Sequence, residues 1–210
     1  YQTASGTYDG DFSTCEASGA DGGIVVAKDK FFVTHGGGSS QIGFSSIENN
    51  AWYHIVLQRS NNLFSLYLNG ALVSTVSPTV SLTGDYLRLA SRYIDNATYA
   101  LTGHIHDFRI SKGLARYPYI AEPVTLTTST SARDGVSVTA SNTKLLTGHA
   151  ATIVDGSSVG ATISNNGTVT VESTVVPKSG MKAVSFNGSN QWLHTPADIT
   201  NYRVGTGQFM

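Results

Sequence analysis

Charge is scarce in this sequence. Asp, Glu, Lys and Arg make up 13% of its 210 residues, about half of the ~25% usual in globular domains. Thirteen basic residues against fourteen acidic ones leave a net charge of -1. No basic run occurs anywhere, which argues against a nucleic-acid partner, because neutralising phosphates supplies most of that affinity. The single cysteine, Cys15, excludes an internal disulfide. It is read as incidental rather than nucleophilic, since no His or Asn arrangement around it suggests a base. No apolar run approaches the ~18 residues needed to cross a bilayer, and the start at Tyr1 has no secretory pattern, so membrane insertion is not expected. The chain is read as a segment of something longer. Helical periodicity is missing throughout, and Gly, Ser, Thr and Asn take the surface positions that charged residues usually hold.

What is present is a series of short β-type runs. The clearest are in Ala51–Gly70, AWYHIVLQRSNNLFSLYLNG. Trp52–Arg59 and Leu63–Leu68 read as strands joined by Ser60-Asn61-Asn62. Asn69-Gly70 suits the positive φ of a type I′ turn, so Ala71–Val76 is expected to return as a third strand. Both alternate sets of the first run are apolar or aromatic, which suits a central strand with cover on each face. Upstream, Tyr1–Gly23 reads as loops with one short strand at most. Gly22–Ala27 and Lys30–Thr34 form an expected hairpin, followed by Ser40–Phe44. Asp85–Ala90 is a half-buried strand, Ser91–Leu101 a loop. Alternation over His104–Ile110 places His104 and His106 on the same face as Phe108 and Ile110, a conflict that a bulge near His106 would relieve. The Thr/Ser-rich stretch 125–143 reads as a linker. Strands are expected again at Lys144–Thr147, Ala161–Ser164, Thr168–Val171, Lys182–Asn187, Gln191–Thr195 and Gly207–Met210, with turns at Asn166-Gly167 and Asn187-Gly188.

The run WYHIVLQR followed by LYLNG, together with GHIHDFRISKGLARY over Gly103–Tyr117, resembles the laminin-G-like modules of the concanavalin A-like lectin/glucanase group, in the version found in tandem in bacteriophage tail and virion proteins. The resemblance implies an all-β fold, an antiparallel two-sheet jelly-roll β-sandwich. Its order here is unusual. KLLTGHAATIVDGSS, AVSFNGSNQWLHTPA and GTGQFM, over Lys144–Met210, resemble the beginning of a module but follow its ending block. Residues 1–124 therefore resemble the last two thirds of a module, and 144–210 the first third of one. Three arrangements fit: a window cut across tandem modules, closure of the two parts in one chain as in a circular permutation, or completion of a neighbouring subunit's sandwich.

Glycosidases need a pair of carboxylates flanking the sugar, and related glucanases carry them as E-x-D-x-x-E on one strand. That pattern is missing; Glu16, Glu48, Glu122 and Glu172 are scattered, so no enzyme and no catalytic residue is expected. The resemblance implies calcium as a candidate ion at the sandwich rim. Asp9 and Asp11 have the close carboxylate spacing a hard cation prefers, with Asp21 nearby and Asn187 as a further loop oxygen; the competing reading is that these are turn residues. His104 and His106 have a spacing compatible with a transition metal but lack an evident third ligand, so a packed or hydrogen-bonded pair is the preferred reading. For carbohydrate, exposed aromatic faces beside amides and carboxylates are needed, and Tyr93, Asp95, Asn96 and Tyr99 in one loop meet that description. Trp52 and Trp192 read as core. The expected role is a structural and adhesive module on a bacteriophage virion surface, such as a tail fibre, whose partners are other copies, other virion proteins and host cell-surface glycans. A ligand-free virion element and a cellular carbohydrate-binding module are the alternatives.

Overall fold

A computed structural model describes residues 12–16, 19–27, 30–35, 38–43, 48–77, 79, 81–84, 86–91, 100–115, 139–203 and 206–209; for 12–43 and 86 it describes backbone only. The strands are β1 Phe12–Glu16, β2 Gly19–Ala27, β3 Lys30–His35, β4 Gly38–Gly43, β5 Ile55–Ser60, β6 Leu63–Leu68, β7 Ala71–Val76, β8 Tyr86–Leu89, β9 Thr102–Ile105, β10 Phe108–Ser111, β11 Thr143–Thr147, β12 Ser164–Asn166, β13 Thr170–Glu172, β14 Ala183–Asn187 and β15 Trp192–His194. Every pairing among them is antiparallel. No α-helix occurs among the described residues, only a 3-10 turn at Ala140–Asn142.

One layer is a seven-stranded sheet in the order β12-β15-β8-β1-β2-β3-β4. The other is assembled from β13-β14-β9, β10-β11 and β5-β6-β7. Phe209 ties two of these pieces together. It bridges Arg59 of β5 and Lys112 just after β10, exchanging backbone bonds of 2.9 and 3.2 Å with Arg59 while the Gly113 N–H donates to the Gln208 carbonyl. The layers meet through Leu89 and Leu193 on one side and Val184 and Phe186 on the other, and again through Leu87 against Ile110 and Leu145. These side chains are at most 8% exposed, so burial of apolar area holds the layers face to face.

The turn chemistry of the meander is as expected from its asparagines. Asn69 and Gly70 sit at φ 49° and 84°, the pair of positive values that type I′ geometry demands, while the first turn has positive φ only at Asn61, at 54°. Arg59 is fully buried under the ring of Phe64, its guanidinium carbon 5.0 Å from the ring centroid. Its Nε donates to the Asn61 carbonyl at 3.0 Å and an Nη to Asn62 Oδ1 at 3.3 Å. The first turn thereby satisfies a cation that burial would otherwise make costly.

Several expectations change. Residues 12–16 and 19–23 lie in strands rather than loops; β1 is flanked by β8 and β2, and main-chain pairing on both sides sustains it without an apolar pattern. Ala161–Ser164 is not a strand; Ile163 packs against the core from an irregular segment ahead of β12. The His104–Ile110 run breaks at His106-Asp107, with Asp107 at φ 49°. That break shifts the alternation, so Ile105 before it and Phe108 and Ile110 after it all reach the core. Of the stretch read as a linker, 125–138 lies outside the described residues, and its end forms the 3-10 turn and the start of β11.

The two parts of the chain share both layers. From the C-terminal part, β15 pairs with β8, β14 with β9 and β11 with β10.

Candidate functional site

The two ends of the 91–101 stretch form a fixed base. Ser91 bridges Ala100, and the Leu101 N–H donates to the Ala90 carbonyl at 2.9 Å. Ala90, Ser91, Ala100 and Leu101 are all buried. Tyr93, Asp95, Asn96 and Tyr99 themselves lie outside the described residues. Beside this base stand two turns that the chain builds from amides. Thr102, next after Leu101, pairs with Asn187 at the end of β14. Asn187 Oδ1 accepts from the Ser189 and Asn190 N–H groups at 3.0 and 3.3 Å, and its Nδ2 donates to Asn190 Oδ1 at 2.9 Å. The second turn, around Gly167, docks on the first. Gln191 Nε2 donates to the Gly167 and Thr168 carbonyls at 3.0 and 2.9 Å, and Asn166 Nδ2 to the Asn190 carbonyl at 3.4 Å.

Glycine is required at both contacts. A Cβ on Gly167 would lie 2.1 Å from the Asn190 carbonyl oxygen, and one on Gly188 would lie 1.8 Å from Thr102 Oγ1, with φ at 71° and 72°. Trp192 follows directly, half-buried rather than in the core, with the Arg88 guanidinium 5.9 Å from its ring centroid. Loop base, amide turns and Trp192 thus form one rim at the Ala90 end of β8. Sequence alone does not mark the amides of Asn166, Asn190 and Gln191 as site residues. Their signal is the pair of amide-rich runs SNNG and NGSNQW, each of which also reads as an ordinary turn.

Of the calcium candidates, Asp9 and Asp11 lie outside the described residues. Asp21 is in β2 and Asn187 is on the rim. Their positions diverge: Phe12 pairs with both Val26 and Leu89 at the rim end of the sheet, whereas Cys15 pairs with Tyr86 and Glu16 with Gly19 at the far end, where Asp21 belongs. Asn187 Oδ1 already accepts two N–H bonds. These two residues do not make a common cation site.

Three of the histidines, His104, His106 and His149, each face a carboxylate. His104 Nε2 lies 2.6 Å from Glu172 Oε1. His106 Nε2 lies 3.2 Å from Asp107 Oδ2, and His149 Nδ1 lies 3.6 Å from Asp107 Oδ1. Among the described residues no three His, Cys, Asp or Glu side chains are arranged to hold a metal ion. Burial lowers the pKa of His104, against the pull of Glu172. Burial also opposes protonation of His106, but the Asp107 carboxylate and the Lys182 carbonyl outweigh it and the pKa lies above the usual 6.5.

Other acids serve their own loops. Asp155 accepts from the Leu146, Ser157 and Ala161 N–H groups and from Ser157 Oγ, at 2.8 to 3.1 Å. Asp198 accepts from the Thr200 and Asn201 N–H groups and from Asn201 Nδ2. A void of about 10 Å³ between the layers, lined by Leu87, Leu145, Ile163 and Leu193 among others, holds one water at most. The described interior is frame, and the open polar chemistry is on the rim.

The family profile of laminin-G type, described as the concanavalin A-like lectin/glucanases superfamily, matches residues 4–116, just over half of the chain. The chain belongs to this superfamily. The layered antiparallel strands agree with that membership, and the matched residues include β1–β10. No curated protein and no solved structure matches the chain. No helix among the described residues is long and apolar enough to cross a membrane, which says nothing of strands.

Proposed function

We propose that this chain is a non-catalytic structural and adhesive sandwich of a bacteriophage virion surface, a tail fibre or similar appendage, in which 1–124 and 144–210 form one module and the rim touches host-surface glycans. The observation that carries the proposal is the clamped rim: Ala90-Ser91 and Ala100-Leu101, which flank the stretch bearing Tyr93, Asp95, Asn96 and Tyr99 in sequence, form a buried base next to interlocked amide turns and a half-buried Trp192. Sugars are bound by stacking ring C–H groups on aromatic faces while amides pair with hydroxyls. A base fixed by backbone bonds lowers the ordering cost of such contacts. Weak single sites become useful when many copies of an appendage engage together. Phage context rests on the tandem-module resemblance. The family's fold hosts both binding and hydrolysis; the binding reading is supported by Asp155, Asp198 and Glu172 accepting bonds within their own surroundings.

One observation favours a ligand-free virion element instead: the rim amides bond largely to one another. Multivalent display of the protein on a glycan array separates the two. The adhesive reading predicts binding that falls at least about tenfold in a Tyr93→Ala/Tyr99→Ala variant of unchanged melting temperature. Binding by neither protein assigns the chain to scaffold, and equal binding by both rules out Tyr93 and Tyr99 as the glycan contact. A chelator arm tests calcium at Asp9 and Asp11, which stays part of the proposal.

A further inference from the structure

β9 and β10 are one strand interrupted at His106-Asp107, and the interruption is where the C-terminal part of the chain is fastened. The Asp107 N–H donates to the Gly148 carbonyl at 3.4 Å. His106 stands between two oxygens: Nδ1 is 2.5 Å from the Lys182 carbonyl, just ahead of β14, and Nε2 is 3.2 Å from Asp107 Oδ2. Both side chains are nearly inaccessible, at 7% and 5% exposure. Carbonyl and carboxylate oxygens only accept, and a neutral imidazole has a single N–H to give. Nδ1 is the ring nitrogen in hydrogen-bonding geometry, while Nε2 faces the carboxylate at ion-pair distance without an aligned hydrogen bond, so it is the charge of the imidazolium that joins His106 to Asp107.

We propose that His106 is a proton-operated fastener: protonated, it holds Asp107 of the strand break by charge while its Nδ1–H holds the Lys182 carbonyl, and loss of the proton releases the Asp107 side of that link. The titratable groups packed around it are Asp107 on the same strand, His149 from the 148–150 segment, Lys182 itself, and the His104–Glu172 pair on β9 and β13. With a native pKa above 6.5, His106 contributes stability that is complete below 6.5 and is lost as pH rises through that native value. His104, with a lowered pKa, has the opposite sign. Its contribution is present above 6.5 and is lost as pH falls through its native value.

Two measurements decide the matter. Imidazole ¹⁵N shifts of the intact chain, followed from about pH 6 to 9, are expected to show His106 protonated on both nitrogens past 6.5 and to lose that state in Asp107→Asn. A single neutral tautomer at pH 6.5 overturns the proposal even if no variant folds. In urea titrations the folded-to-unfolded ratio is expected to fall by up to about tenfold per pH unit between 6.5 and the native pKa. His106→Asn keeps a donor for Lys182 but cannot titrate, so that slope is expected to vanish; an undiminished slope contradicts the assignment.

Discussion

β5, β6 and β7 are six residues each and are joined by two tight turns, whereas β12, β13 and β15 are three residues each, with long irregular segments ahead of β12 and between β13 and β14. The meander is held by its backbone ladder and by Phe64 packing against Phe209 from the end of the chain, centroids 5.9 Å apart. The C-terminal part relies on side chains that bond main chain: Asp155, Asn165, Asn187, Gln191 and Asp198 each close a loop or turn. The difference shows how a chain poor in charge can keep irregular segments in place. Short polar side chains substitute for absent ladder bonds, and each satisfied carboxylate or amide fixes a loop at the cost of a surface group. Such loops are ordered before any partner arrives.

That contrast predicts a graded response to substitution. Phe64 is fully buried in the meander, and Phe64→Ala is expected to cost about 3–5 kcal/mol in urea denaturation, the largest effect of the series. A cost under about 1 kcal/mol would show that the Phe64–Phe209 contact does not hold the layer together. Gly167→Ala forces a Cβ against the Asn190 carbonyl and needs a left-handed residue; a loss of about 2 kcal/mol is expected, with amide-proton shifts at residues 187–191 on the opposite turn. If only residues 166–168 respond, the two turns are not interlocked. Asp155→Asn exchanges an acceptor oxygen for a donor at a site with four incoming donors and is expected to cost about 1.5–3 kcal/mol, confined in hydrogen exchange to 146–161 while the meander keeps its protection.

The same contrast explains what could be read in advance. Leu63–Leu68 and Ala71–Val76 occupy their expected bounds because β-branched and aromatic residues, closed by Asn-Gly, leave little choice of register. The conflict at His106 was also visible, since alternation placed two imidazoles on a core face, and a break resolves it. β1 was not legible: Ser13, Thr14 and Cys15 carry no apolar signal, and the strand exists through pairing with β2 and β8. For the rim, Asn166, Asn187 and Asn190 look alike as turn residues whether or not their amides meet. Which ones converge depends on the Asn166–Trp192 and Asn187–Thr102 registers, contacts between segments far apart in sequence.

All of this depends on the C-terminal strands completing the sandwich of the same molecule. Interstrand NOEs in a sample mixing labelled and unlabelled chains test that most directly. The account predicts contacts between Leu193 and Leu89 and between Val184 and Ile105 within single molecules. Absence of those contacts, or their appearance only between differently labelled chains, would contradict it.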